Sequence, residues 1–196
     1  MNKRIKALLT ELKKNSHVFW NISPETGLFL NQLIRLTNAK TILEIGTSNG
    51  VSGIWMAEAL AHRASSHALP SHTKGHLYTI ESHKRLRYRE ATKNFAASGL
   101  APYVTQILGH APEAIPPHPE APRTFDLIFL DATKYEHKDY LKAILPRTHK
   151  NSIIITDNAL SHKKELAPYV KTVRRLKNFK TFLLPVGTGL LISIHC

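Results

Sequence analysis

Short apolar runs that alternate with amphipathic stretches are the feature of this sequence that most restricts its fold. Runs rich in β-branched and aromatic residues predict strands, and apolar residues at helical spacing between them predict helices. This alternation predicts a parallel sheet with helices on both faces, because a crossover between parallel strands needs room for a helix. The strand candidates are residues 41–45, 76–81, 103–108, 125–130 and 151–156, and the helix candidates are residues 51–62, 84–98, 135–145 and 163–177.

The end of the chain departs from this alternation. Two further strand candidates, residues 180–185 and 189–195, are separated by little more than Val186-Gly187-Thr188. So short a link cannot hold a crossover helix, and we therefore expect these two strands to pair antiparallel. The sequence thus predicts an α/β protein with a Rossmann-like, seven-stranded, mostly parallel sheet that ends in an antiparallel strand pair.

Length and composition favour a single domain without a membrane span. The chain has 196 residues, and domains are typically about 100–150 residues long. Residues 1–15 have the spacing of an amphipathic helix, and Ser23-Pro24-Glu25 predicts the start of a second helix that runs to about Leu36. Cys196 is the only cysteine, so no internal disulfide is possible and a cytoplasmic location is expected.

The net charge of +13, with 12 histidines in addition, constrains the partners of the protein. A field of this sign attracts polyanions such as nucleic acid, phosphorylated small molecules or acidic membrane surfaces. The alternative is a solvated basic surface that serves only solubility. No H-E-x-x-H zinc motif is present, and the histidines are predicted to be mostly exposed.

A glycine-containing turn follows the first predicted strand. Glu44, Gly46 and Gly50 stand in the order E-x-G-x-x-x-G, which differs from the G-x-G-x-x-G of dinucleotide-binding domains. An acid in place of the first glycine disfavours a pyrophosphate and suits a cationic or amino-acid-bearing ligand. Glu81 ends the second strand, where a carboxylate commonly binds ribose hydroxyls. Together the two features predict a nucleoside site.

Oxygen-bearing side chains follow two later strands. Asp131 follows the run at 125–130, and Asp157 and Asn158 follow the run at 151–156. In a parallel sheet these residues emerge at the same edge, where ligands bind. Two carboxylates and an amide are hard oxygen ligands suited to Mg²⁺, Mn²⁺ or Ca²⁺. The sequence therefore predicts a divalent-cation site beside the nucleoside site.

At this point the chain resembles the cation-dependent class I O-methyltransferases of the caffeoyl-CoA and catechol type, including their small bacterial members. The matching stretches are NISPETGLFL, ILEIGTSNGVSG, LYTIES, FDLIFLDATK, IIITDNAL and LLPVGTGLLIS, in the order of that family. The resemblance implies that S-adenosylmethionine is the methyl donor. The implied donor-site residues are Glu44, Gly46, Ser52, Glu81, Ala111 and Asp131. The implied metal ligands are Asp131, Asp157 and Asn158, and the metal is most simply Mg²⁺.

The resemblance also implies catalytic roles for Lys134, as the base beside the acceptor hydroxyl, and for Asp131. The acceptor would present a catechol-like or vicinal hydroxyl. Two positions depart from the family: Thr133 replaces an aromatic of the catechol branch, and Ser161 replaces a tryptophan of the plant branch. Trp20 either offers another aromatic wall or packs against the sheet.

Basic residues near the expected entrance favour an anionic acceptor, either a coenzyme A thioester or an RNA. Relatives that methylate a hydroxylated wobble uridine make tRNA an alternative acceptor for the same site. A non-catalytic nucleic-acid-binding protein on the same scaffold is a further alternative, and a NAD-dependent dehydrogenase is disfavoured by the glycine spacing. The resemblance implies that residues 1–38 cover the donor and acceptor site, that residues 39–196 form the core of a single domain, and that a homodimer is possible.

Overall fold

A computed structural model describes residues 1–64, 75–115 and 122–196 of the chain. The sequence also predicts loops at residues 64–75 and 112–122, most of which lie outside the described residues. The described strands form one seven-stranded sheet in the order β3-β2-β1-β4-β5-β7-β6. The strands are β1 (Thr41–Ile45), β2 (His76–Glu81), β3 (Val104–Leu108), β4 (Leu127–Leu130), β5 (Ile153–Thr156), β6 (Phe179–Leu184) and β7 (Leu190–His195).

The pairing of these strands confirms the predicted architecture. The five strands β1 to β5 run parallel to one another. β7 lies between β5 and β6 and is antiparallel to both. The β6–β7 hairpin therefore places the last strand of the chain inside the sheet, where it covers the edge of β5.

Helices cover both faces of the sheet. The helices are α1 (Lys3–Lys13), α2 (Ser16–Phe19), α3 (Pro24–Thr37), α4 (Val51–Ala64), α5 (Arg87–Ser98), α6 (His137–Ile144) and α7 (Lys163–Val173). As predicted, Ser23 caps α3: its Oγ accepts a hydrogen bond from the Thr26 amide at 3.2 Å. Within the described residues, no helix is both long and apolar enough to span a membrane.

The parallel strands are apolar along their length because both of their faces are buried. On one face, Leu43 and Ile128 belong to a core that includes Tyr140 and Tyr169 from α6 and α7. On the other face, Ile42 and further strand residues pack with residues of α3 and α4, among them Leu30, Ile34, Met56 and Leu60. The edge at which the strands end is thereby held between two packed layers.

Two helix boundaries differ from the prediction by three or more residues. The helix predicted from residue 84 begins at Arg87, because a turn precedes it in which His83 Nδ1 accepts a hydrogen bond from the Leu86 amide at 3.3 Å. The helix predicted to reach residue 177 ends at Val173. The Arg175 amide bonds the Thr172 carbonyl at 3.1 Å, so the chain turns there towards β6. Basic, helix-favouring residues continue past both boundaries, and the sequence pattern therefore does not mark them.

Gly27 allows α3 to lie close against α4. A Cβ at this buried position would overlap the indole ring of Trp55. We therefore expect Gly27→Ala to lower the free energy of unfolding by about 1–3 kcal/mol, the usual cost of overpacking a tight contact. Urea denaturation would measure the change. Leu36→Ala on the same helix, at a side chain that is 80% exposed, is the control and should shift stability by less than about 0.5 kcal/mol.

Candidate functional site

A cavity of about 640 Å³ lies at the carboxyl ends of β1, β2, β4 and β5. Its volume is within the range of small-molecule sites, which span about 300–1,000 Å³. Residues that follow each of these strands line it, and so does the N-terminal segment 19–22 between α2 and α3. This is the edge at which ligands bind in open α/β sheets.

The glycine turn after β1 brings the backbone close to the end of β4. Gly46 has a φ of +103°, a conformation that glycine adopts without a steric penalty. A Cβ at Gly46 would overlap the backbone carbonyl of Asp131. The amides of Gly46 and Thr47 both donate to the Ile80 carbonyl, at 3.1 and 3.2 Å. The turn is thus held between the ends of β2 and β4, and Gly46 lines the cavity.

Glu44 lies behind this turn, and neither it nor Ser52 lines the cavity. Ser52 Oγ donates to Glu44 Oε1, and Thr79 Oγ1 donates to Oε2 at 2.6 Å. Since Thr79 has only one hydroxyl proton, the 2.6 Å contact between Thr47 Oγ1 and Thr79 Oγ1 is donated by Thr47. Burial raises the pKa of Glu44 to about 8, against the effect of the hydroxyl donors. Direct contact of Glu44 and Ser52 with a donor remains a prediction.

Glu81 and Ala111 both line the cavity on the β2 and β3 side. Glu81 is 5% exposed. Its Oε2 accepts the Ser48 amide and its Oε1 the His83 amide, each at 2.8 Å. Backbone donors therefore fix the carboxylate at the end of β2, at the position where the sequence predicted a ribose-binding acid.

The three predicted metal ligands all line this cavity. Leu130 of β4 pairs with Thr156 of β5, and the Asp157 amide donates to the Leu130 carbonyl at 3.0 Å. Asp131 and Asp157 therefore leave adjacent strands, which are about 4.8 Å apart in a sheet. Asn158 has a φ of +64°, in the left-handed region that asparagine tolerates better than most residues.

Lys134 joins this group from the turn that follows β4. Its Nζ lies 2.8 Å from Asp131 Oδ1, and the two side chains are only 16% and 17% exposed. Lys134 is three residues after Asp131 and begins the turn at Lys134–Glu136. Its side chain points back to the end of β4, where Asp131 lies. The structure thus places an amine, two carboxylates and a carboxamide around one cavity.

Asp157 is the more buried of the two carboxylates, at 2% exposure. Burial and the nearby charge of Asp131 raise its pKa to about 6. Thr188, from the β6–β7 hairpin, donates to Asp157 Oδ1 at 2.6 Å and opposes that shift. Two like charges in a partly dry cavity repel each other, and a bound cation would relieve that repulsion.

Several residues of the cavity were not predicted. Thr188 is 31 residues from Asp157, and no local pattern indicates their contact. Tyr140 lines the cavity and donates to Glu136 Oε2 at 2.5 Å.

Trp20, whose role was left open, does not pack against the sheet: it is 74% exposed and lies beside the guanidinium of Arg87. Thr133 and Ser161, the two positions that depart from the family, also line the cavity.

His137 is fully buried beneath the turn that carries Lys134 and is an exception to the predicted exposure of the histidines. Its Nδ1 lies 3.0 Å from the Thr133 carbonyl, so Nδ1 carries the proton and donates. Among the described residues, none is recorded as a hydrogen-bond partner of its Nε2. Burial lowers the pKa of His137 to about 4. Across residues 1–64, 75–115 and 122–196, no three His, Cys, Asp or Glu side chains converge as a metal site.

Comparisons of the sequence with known proteins agree on one family. Residues 2–184 match the sequence model of a family described as O-methyltransferase. A catechol O-methyltransferase from Niastella koreensis is 34% identical over 161 residues, which is 79% of this chain and 67% of that protein.

Comparisons of the structure give the same result for the fold. A Staphylococcus aureus protein assigned as a caffeoyl-CoA O-methyltransferase superposes with a TM-score of 0.81 at 26% identity, over 100% of this chain and 93% of that one. An O-methyltransferase from Bacillus cereus in complex with SAH gives a TM-score of 0.80 at 22% identity, over 100% and 92%. At that lower identity the likeness shows the shared fold alone.

The depressed pKa of His137 predicts a loss of stability in acid. Between pH 6.5, its ordinary pKa, and pH 4 the unfolded chain binds a proton at this site and the folded chain does not. The free energy of unfolding therefore falls as the pH falls, by about 3 kcal/mol across this window. We expect urea denaturation of His137→Gln to lack this contribution, so the stability difference between the two proteins changes with pH.

The exposed His17 provides the control for that experiment. His17→Gln should follow the pH dependence of the wild-type protein throughout the window. A constant difference between wild type and His137→Gln from pH 7 to pH 4 would contradict the assignment of a neutral, buried imidazole.

Proposed function

The chain belongs to the O-methyltransferase family, and on that premise we propose that it transfers a methyl group from S-adenosylmethionine to a catechol-like or vicinal hydroxyl of a small, anionic acceptor, with the help of a divalent cation. The observation that supports the proposal most is the meeting of Asp131, Lys134, Asp157 and Asn158 in one cavity. The cavity is large enough for a small molecule and adjoins the turn at Gly46.

The donor half of the proposal rests on the β1 and β2 ends of the cavity. The turn at Gly46 forms part of the cavity wall, and Glu81 presents a fixed carboxylate suited to ribose hydroxyls. Ala111 adds an apolar wall on the β3 side. The Bacillus cereus protein of the same fold binds SAH, the product that remains after S-adenosylmethionine gives up its methyl group.

The residues at the ends of β4 and β5 fit a divalent cation. Asp131, Asp157 and Asn158 offer only oxygen ligands, the set that Mg²⁺ prefers and that Mn²⁺ or Ca²⁺ also accept. Burial and the charge of Asp131 raise the pKa of Asp157, so a positive charge is favoured between the two carboxylates. When bound, the ion would polarise two neighbouring acceptor oxygens and favour the deprotonated hydroxyl.

Lys134 is the proposed base. Asp131 holds its amine 2.8 Å from Oδ1, and so directs it into the cavity. In the reaction, Lys134 takes the proton of the acceptor hydroxyl and the oxygen attacks the methyl carbon. The new C–O bond forms as the S–C bond breaks, which gives the methyl ether and S-adenosylhomocysteine. Much of the rate gain in such a transfer comes from the alignment of the two reactants.

The acceptor is the least constrained part of the proposal. The Niastella koreensis relative is named for catechol, and a catechol presents two neighbouring oxygens. The aromatic walls of the family are absent at Thr133 and Ser161, whereas Trp20 contributes a different aromatic surface at the entrance. An ortho-dihydroxyaryl compound therefore remains the first acceptor to test.

tRNA is the second candidate acceptor, and the distribution of charge favours it. The net charge is +13. Exposed basic residues follow Asp157 and Asn158 in the chain, along α7 and beyond its end. These residues are Lys163, Lys164, Lys171, Arg174, Arg175 and Lys177. If an RNA binds this surface, its affinity should fall steeply as the salt concentration rises, because bound counterions are released.

We further propose that residues 1–38 cover the donor and acceptor site and that residues 39–196 form the core of the same domain. The placement of segment 19–22 in the cavity wall supports this division. A cytoplasmic location and a homodimer, both expected from the sequence or the resemblance, remain predictions.

Replacement of Lys134 tests its role as the base. We expect Lys134→Ala to lower kcat by about 10²–10⁴-fold, the usual contribution of general base catalysis. The affinity for S-adenosylmethionine, measured by calorimetry, should stay unchanged because Lys134 lies at the acceptor end of the cavity. Lys138→Ala, at an exposed lysine one turn along, is the matched control. Normal turnover in Lys134→Ala would remove the lysine from the mechanism.

Chelation tests the metal. Methyl transfer to a panel of diphenols and to bulk tRNA should stop in EDTA and return with Mg²⁺. In Asp157→Ala, Mg²⁺ should fail to restore turnover, whereas Asp139→Ala, which removes an exposed acid of α6, should behave as the wild type. Turnover that is indifferent to chelator would contradict the metal but leave the methyl donor in place. Transfer to tRNA alone would select the second candidate.

A further inference from the structure

Arg87 is a permanent cation in the cavity wall, and no acid of the described residues pairs with it. Lys134 pairs with Asp131, whereas Arg87, half-buried at the start of α5, makes no ion pair or hydrogen bond to any residue within 1–64, 75–115 and 122–196. Its contact is with Trp20: the guanidinium carbon lies 4.9 Å from the centre of the indole ring. A contact of this kind stabilises the position of the guanidinium but does not neutralise its charge.

Trp20 occupies a position that packing of the core does not explain. The side chain is 74% exposed, although tryptophan is among the most apolar residues. Its φ of +52° lies in the left-handed region, which bulky residues rarely adopt. Ser48 Oγ donates to the carbonyl of the neighbouring Phe19 at 2.8 Å and ties this segment to the glycine turn. The strained segment therefore holds a flat aromatic surface at the cavity.

The carboxylates of the cavity do not need Arg87. Glu81 accepts two backbone amides, Asp131 accepts the Lys134 amine, and Asp157 accepts the Thr188 hydroxyl. Arg87 is also the first residue of the 12-residue helix α5, so the positive end of the helix dipole adds to its field. An anion entering the cavity would meet no competing acid at the guanidinium.

From this arrangement we propose that Arg87 and Trp20 form a subsite for an anionic oxygen group of the methyl acceptor, a carboxylate or a phosphate, with the planar part of the acceptor against the indole. A guanidinium stacked on a ring keeps its N–H edge free and can bind such a group through two parallel hydrogen bonds. The inference rests on the proposed function, since it assigns a substrate class to the same cavity: ortho-dihydroxyaryl compounds that carry an acid group.

The first test compares two acceptors that differ only in charge, 3,4-dihydroxybenzoate and 3,4-dihydroxybenzamide. In the wild-type enzyme, kcat/KM should favour the acid. In Arg87→Gln the ratio of acid to amide should fall by about tenfold or more, the effect of losing a charge-assisted bidentate pair. Arg87→Lys should retain part of the preference, because the charge remains and the planar fork is lost.

Arg89→Gln is the matched control. Arg89 is exposed on the same helix and lies outside the cavity wall, so its replacement removes one positive charge without touching the subsite. The acid-to-amide ratio should not change in this variant. An equal loss of both acceptors in Arg87→Gln, or a loss of S-adenosylmethionine affinity with the ratio unchanged, would overturn the subsite.

A binding measurement separates this inference from the proposed function. Calorimetry with benzoate and with phenyl phosphate, in the presence of S-adenosylhomocysteine, requires no turnover. Binding by the wild type that is lost in Arg87→Gln and kept in Arg89→Gln would support the subsite even if neither diphenol were methylated, an outcome that would count against the proposed acceptors alone. The stronger of the two ligands identifies the group as carboxylate or phosphate, and no Arg87-dependent binding of either would refute the inference.

Discussion

The parallel pairing of β4 with β5 is the constraint on which the candidate site depends. The register that sets Leu130 opposite Thr156, together with the bond from the Asp157 amide to the Leu130 carbonyl, brings Asp131 and Asp157 to one edge. A slip of one residue would turn the side chains of β5 to the opposite face of the sheet. The close approach of Gly46 to the Asp131 carbonyl then joins the donor side to this pair.

The electrostatic character of the cavity is opposite to that of the chain as a whole. The chain has a charge of +13, but Glu44, Glu81, Asp131 and Asp157 collect at or behind one cavity, where burial and then the repulsion of neighbouring acids raise the pKa of Glu44 and Asp157. The side of the cavity that these acids form therefore favours cations such as a sulfonium or a metal ion, whereas Arg87 and the basic exterior attract anions. A reaction that joins a cationic donor to an anionic acceptor matches both fields.

Periodicity and the types of residue at strand ends were enough to predict the sheet, its antiparallel hairpin and the grouping of the cavity acids. They could not predict Thr188 or Arg87, because these contacts join residues far apart in sequence and depend on how the hairpin and the N-terminal segment pack. They also could not show that Glu44 accepts hydrogen bonds from Ser52 and Thr79 behind the glycine turn, and its contact with the donor stays a prediction. The prediction that the histidines are exposed was wrong for His137, because the rings of Tyr140 and Tyr169 pack against it only in the folded chain.

The insertion of β7 between β5 and β6 has a consequence for the assembly of the protein. Until these last residues are in place, β5 has an unpaired edge, which is the kind of surface through which partly formed sheets aggregate. The same hairpin supplies Thr188 to Asp157. Completion of the sheet and placement of Thr188 beside Asp157 therefore depend on the same hairpin, so a molecule synthesised without its final strand would lack both the cover over β5 and this hydrogen bond in the candidate site.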